Sequence, residues 1–104
     1  MQPIIVTTSC ESGEDAQRLA RLILEKRLAA CVQISSPIQS YYWWKGEIAA
    51  DGEFLLTMKS ERRLFERISS TIKEHHPYDV PEIVATEIVA IDKAYLTWLT
   101  EELC

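Results

Sequence analysis

Two stretches of this chain repeat apolar residues at steps of three and four, and each lies between runs of β-branched residues. That alternation limits the folds open to it more than any other feature. Ala16, Leu19, Ala20, Ile23, Leu24 and Leu28 form the first stripe. Ser12 opens it with Glu14 and Asp15 in the first turn, and Arg18, Arg21 and Glu25 turn outward. Leu64, Phe65, Ile68 and Ile72 form the second stripe, with Ser60 as its expected N-cap. Its end is expected near His75 or His76, because the residue before Pro77 is pushed out of helical geometry. Extended runs are expected over residues 4–8, 29–34, 39–44, 53–59 and 83–89. Ser35-Ser36-Pro37 interrupts one strand pair as a bulge or bend, and Lys45-Gly46 makes a hairpin turn in which glycine supplies positive φ. The return arm begins at Glu47-Ile48 and is expected to loosen around Asp51-Gly52. Asp92 opens a terminal helix that uses Tyr95, Leu96, Leu99 and Leu103.

The order β α β β α β plus one helix predicts an α+β, ferredoxin-like sandwich with both main helices on one face of the sheet. With 104 residues, the whole chain, 1–104, is read as a single domain that buries its core without disulfides. The strands carry apolar side chains on both faces, and Tyr41, Tyr42, Trp43 and Trp44 must alternate sides. One helical layer leaves the second face open, so a homo-oligomer is expected.

A formal charge of -5 argues against a nucleic-acid partner, which requires a basic surface. The amino-terminal residues have no basic leader and no apolar run reaches membrane-spanning length, so a cytoplasmic protein without membrane contact is expected. Cys10, Cys31 and Cys104 match no zinc or redox spacing and read as reduced thiols, with Cys31 in the core.

Residues 75–83, His-His-Pro-Tyr-Asp-Val-Pro-Glu-Ile, concentrate the chemistry. Imidazole and carboxylate oxygen suit Cu(II) among first-row divalent ions, so His75 or His76 with Asp79 or Glu82 is a candidate metal site. Neighbouring helical side chains diverge by about 100°, so one imidazole faces a pocket while the other packs or caps. Glu82, held between Pro81 and Ile83, is the favoured pocket carboxylate; a structural role opposite Lys59 or a backbone donor stands beside that reading. An alternative for the whole stretch is a helix end that the prolines terminate. Cys10 near the start of the first helix is the one nucleophile candidate, but no catalytic signature surrounds it, and the chain reads as a non-enzyme.

Five segments in register resemble the CutA (CutA1) divalent-cation tolerance family. They are Leu28-Ala29-Ala30-Cys31-Val32, the hairpin positions Ser40, Tyr42, Trp44, Gly46 and Ile48, the pair Lys59-Ser60, the run His76-Pro77-Tyr78 with Pro81-Glu82-Ile83, and Tyr95-Leu96 with Trp98. The resemblance implies a homotrimer whose long hairpins pair between subunits. It also implies a role in tolerance of copper and other divalent cations, with Cu(II) or another divalent cation held loosely by a first-strand cysteine and two adjacent histidines. Here the histidines are His75 and His76; the family's cysteine position falls at Thr8, and Cys10 lies two residues later. Cys10, His75, His76 and Glu82 are therefore the expected metal residues. A further alternative is a PII-like trimeric regulator that takes a small anionic or nucleotide ligand between subunits, with Lys59 and Tyr78 lining the cleft. An unidentified protein partner is compatible with either role.

Overall fold

The computed structural model describes residues 1–104. Its elements run β1 (Pro3–Cys10), α1 (Gly13–Glu25), β2 (Cys31–Ile34), β3 (Ile38–Trp44), β4 (Glu47–Glu61), α2 (Phe65–His75), β5 (Val84–Glu87) and α3 (Lys93–Glu102). A 3-10 turn over Arg62–Leu64 leads into α2. The sheet order is β2-β4-β1-β5, and β3 pairs with β4 beyond the end of β2. Every pairing is antiparallel.

β4 holds the fold together because its two halves have different partners. Its C-terminal half lies between β1 and β2, while its N-terminal half forms a hairpin with β3 alone. Ser35 bridges the gap between β2 and β3: its N–H donates to Leu55 C=O at 2.9 Å and its Oγ accepts from Leu55 N–H at 2.9 Å. Lys45 (φ 50°) and Gly46 (φ 81°) both adopt left-handed backbone, the two-residue turn that matches strand twist. The expected loosening at Asp51-Gly52 does not occur. The ladder is unbroken from Ile38 opposite Glu53 to Trp44 opposite Glu47, and the Tyr42 hydroxyl bonds the Asp51 carboxylate across it.

Strand alternation sets the core. Ile4, Val6, Thr8 and Cys10 of β1 and Leu56 and Met58 of β4 are essentially inaccessible. With Ala16, Leu19 and Ile23 of α1 and Ile68 and Ile72 of α2, all but Thr8 belong to a cluster of 14 buried hydrophobic residues. Each large aliphatic side chain buried there contributes about 1.5–3 kcal/mol. Leu24 falls outside the stripe and is exposed. The intervening residues Ile5, Thr7, Leu55 and Thr57 lie on the opposite sheet face and are only half-buried. Cys31 belongs to that face because it pairs with Lys59, which itself pairs with Ile5, so it is half-buried rather than core.

Helix ends follow local chemistry at two of the three starts. Ser12 accepts from Asp15 N–H, and Asp92 from Tyr95 N–H. Ser60 does not cap α2: it remains in the ladder opposite Ile4, and its buried hydroxyl donates to Leu28 C=O at 2.5 Å. Leu64 stands at the N-cap position instead, with no side-chain bond. α2 ends at His75, as Pro77 requires.

The hairpin makes the molecule elongated, with extents of 45 × 26 × 24 Å. Register places Tyr41, Trp43 and Ile48 on one face of the hairpin, where they are 73%, 73% and 66% exposed. Tyr42 and Trp44 share the other face with Asp51 and Glu53.

Candidate functional site

The loop after α2 crosses the end of β1, and His76 fixes it there. His76 Nδ1 accepts from Tyr78 N–H at 3.1 Å, which leaves the ring proton on Nε2. Nε2 donates to Ser9 C=O at 2.6 Å. The ring is 9% exposed and stacks at a tilt on Tyr78, with centroids 4.6 Å apart. Both ring nitrogens are therefore engaged with backbone groups. Cys10, the last residue of β1, places Sγ 4.0 Å from His76 Nε2. Burial, reinforced by Asp15 and Glu53 and only partly offset by Arg18, pushes its thiol up to about 11, so it is a neutral thiol at physiological pH. Thr8 is fully buried on the same strand face, and its Oγ1 has no hydrogen-bond partner.

His75 points elsewhere. Its Nδ1 bonds Thr71 C=O, one helical turn back, at 3.0 Å, and its ring is exposed. A backbone carbonyl that fixes the Nδ1–H tautomer leaves the Nε2 lone pair free, the arrangement in which a histidine serves as a metal ligand. The two rings do diverge, but neither faces the pocket that was expected for one of them: His76 packs against Tyr78 and the end of β1, and His75 bonds back to its own helix at an exposed position.

On the open sheet face, the loop and the hairpin enclose a cleft of about 440 Å³ lined by Ser9, Tyr42, Trp44, Glu53, Tyr78, Asp79, Val80 and Glu82. Glu53 is its fixed point: Oε2 accepts from Ser9 Oγ at 3.0 Å and from Tyr78 Oη at 3.3 Å. Desolvation and the carboxylates of Glu53 and Glu11 push the Tyr78 phenol above its ordinary range, and the bond to Asp51 does the same for Tyr42. Lys59 is not in the cleft; its Nζ donates to Gln33 Oε1 at 2.6 Å. Glu82 is at the rim and exposed.

Of the four expected metal residues, the structure brings Cys10 and His76 together, places Glu82 in the cleft, and leaves His75 outside it. No three histidine, cysteine, aspartate or glutamate side chains are placed to hold one ion. A three-ligand copper cage is not preformed in this arrangement, and His76 would have to surrender a backbone bond to ligate. Sequence reasoning missed Glu53. The signal available was a carboxylate opening an otherwise apolar strand run.

A family model described as "CutA1 divalent ion tolerance protein" matches residues 4–102. The chain is similar to "Divalent-cation tolerance protein CutA" of Thermus thermophilus, with 41% identity over 97 residues, covering 93% of this chain and 94% of that protein. It is 40% identical over 96 residues to "Protein CutA 1, chloroplastic" of Oryza sativa subsp. japonica, matching 92% of this chain but 54% of that longer protein. The crystal structure of CutA1 from Oryza sativa superposes with a TM-score of 0.97 at 36% identity, covering 100% of this chain and 95% of that one.

Proposed function

Because the chain belongs to the CutA1 divalent ion tolerance protein family, we propose that it is a divalent-cation tolerance protein that acts as a homotrimer of ferredoxin-like, single-domain subunits. The name shared by its relatives supports the cation role. The exposed Tyr41, Trp43 and Ile48 of the hairpin and the half-buried open face of the sheet support assembly. The ion, Cu(II) or a similar divalent cation, is captured loosely at His75 Nε2, with water completing its coordination. Cys10 and His76 serve as the strut that fixes the loop. The observation that carries this division is the pair of hydrogen bonds that occupies both nitrogens of His76 while one nitrogen of His75 stays free. The neutral, buried Cys10 supports a binding protein rather than a nucleophilic enzyme. The chain works in the cytoplasm, where reduced thiols such as Cys10, Cys31 and Cys104 persist.

Calorimetric titration with Cu(II), Zn(II) and Ni(II) tests the assignment. His75→Ala is expected to abolish the strongest copper event, and Cys10→Ser to leave it unchanged, with oligomer size checked by sedimentation. Loss of binding in Cys10→Ser with retention in His75→Ala would overturn it. The cleft at Glu53 favours a second reading, a regulator that takes a small ligand beside the hairpin.

A further inference from the structure

The geometry points to an organic cation, a small amine or quaternary ammonium group, as the occupant of the cleft, with Glu53 as its counter-ion and Tyr42, Trp44 and Tyr78 as its walls. This inference rests on the small-ligand reading of the cleft and gives that ligand a chemical class. Three of the eight lining residues are acids, three are aromatic, and none is basic. Lys59 bonds Gln33 instead of entering, so the part of the cleft that this subunit forms favours a positive occupant.

The Glu53 carboxylate is held in place before any ligand arrives. Ser9 and Tyr78 both donate to Oε2, which leaves Oε1 without a protein partner. A fixed carboxylate loses little conformational entropy on pairing with a cation. Asp79 and Glu82 line the same cleft as Glu53, so three carboxylate side chains set a negative local potential. The same negative potential stabilises a positive ligand.

The walls favour a diffuse cation over a bare metal ion. Aromatic faces attract ammonium groups through their quadrupole, and the effect grows when the cation is desolvated. Lys45 Nζ lies 5.8 Å from the Trp44 ring centroid, so a cationic ligand competes with it for that ring while Tyr42 and Tyr78 stay available. A volume of about 440 Å³ is in the range of small-molecule sites and far exceeds a single ion. The acids lining it do not converge as metal ligands do.

The test titrates the intact protein with tetramethylammonium chloride and with putrescine dihydrochloride, followed by tryptophan fluorescence at constant ionic strength. Sodium acetate, glucose and magnesium chloride serve as comparison arms, and oligomer size is checked throughout. Saturable quenching by the two organic cations is expected, weakened about tenfold in Glu53→Gln, since the attraction between the cation and the carboxylate charge is lost. Lys73→Ala, at an exposed position of α2 outside the cleft, should bind them as the parent does. If acetate or glucose gives the saturable change and the organic cations do not, the small-ligand reading stands and the cationic class is overturned. If magnesium competes at equal or lower concentration, the cleft is a metal site and the inference is wrong. Equal affinity in Glu53→Gln, or no response to any probe, overturns it as well, the latter together with the small-ligand reading.

Discussion

Replacing His76 with alanine is the sharpest perturbation of this architecture. The change deletes the Nε2–H bond to Ser9 C=O and the acceptor for Tyr78 N–H, each worth about 1 kcal/mol net. It also removes a nine-tenths buried ring packed against Tyr78, and truncations of that size leave a cavity that adds further cost. Together these give an expected loss of about 2–4 kcal/mol. His75→Ala, on an exposed ring one residue away, should stay within about 0.5 kcal/mol of the parent. Urea unfolding midpoints at one fixed protomer concentration measure both, because assembly contributes to apparent stability. His76→Gln adds a chemical check: its amide nitrogen sits where Nε2 does, so it should recover about 1 kcal/mol by donating to Ser9 C=O. His76→Asn should not, since its amide is too short to reach. Equal costs for His75→Ala and His76→Ala would refute the strut, and so would an asparagine that rescues as well as glutamine.

Thiol chemistry should rank by burial, with Cys104 labelled first, Cys31 more slowly and Cys10 only on unfolding; fast labelling of native Cys10 would revive a nucleophilic role. Cys10 also makes stability depend on alkaline pH. The unfolded thiol releases its proton near 9.0 and the folded one near about 11, so across that window the unfolded state binds fewer protons and stability falls as pH rises. Cys10→Ala should flatten that part of the pH profile. Ser60→Ala should cost about 1–2 kcal/mol through the orphaned Leu28 carbonyl while leaving α2 helicity unchanged, as circular dichroism would report. Trp43→Glu should convert the proposed trimer to monomers in sedimentation velocity without unfolding the subunit, because the tryptophan is 73% exposed within one chain.

What the sequence revealed and what it hid divide along the range of the interactions. Helices α1, α2 and α3 were readable because their apolar steps, Asp92 and Pro77 act within a few residues. Ser60 looked like an N-cap for the same reason, yet its partner is Leu28, 32 positions away, and the ladder with Ile4 outcompetes local capping. Cys31 sits in an apolar run, but which face it takes depends on the register with Lys59, which no local pattern encodes. Gly52 reads as a breaker, and cross-strand pairing with Gln39 overrides it. Residues 75–83 stood out by composition alone, whereas the roles of the two histidines did not. His76 acts through a carbonyl 67 positions away, and only folding distinguishes it from its neighbour. The Glu53 cleft likewise requires β1, the hairpin and the loop to converge.

The same geometry bears on how tightly the proposed cation is held. A closed site requires ligands that converge and a loop that can fold onto the ion. Here His76 pins the start of the loop to β1, and β5 pairing with β1 fixes the chain soon after its end. Asp79 and Glu82 line the Glu53 cleft while His75 bonds back to its own helix outside it, so the three do not converge on one ion. An ion at His75 keeps most of its own water and exchanges freely, so occupancy should follow the free ion concentration rather than buffer it. A protein that reports an ion level to a partner needs that behaviour, and one that stores the ion needs the reverse. Preventing the strut bond should thus loosen the loop and raise copper affinity in His76→Ala even as stability falls. If affinity drops instead, His76 is a ligand and the division of labour between the two histidines fails.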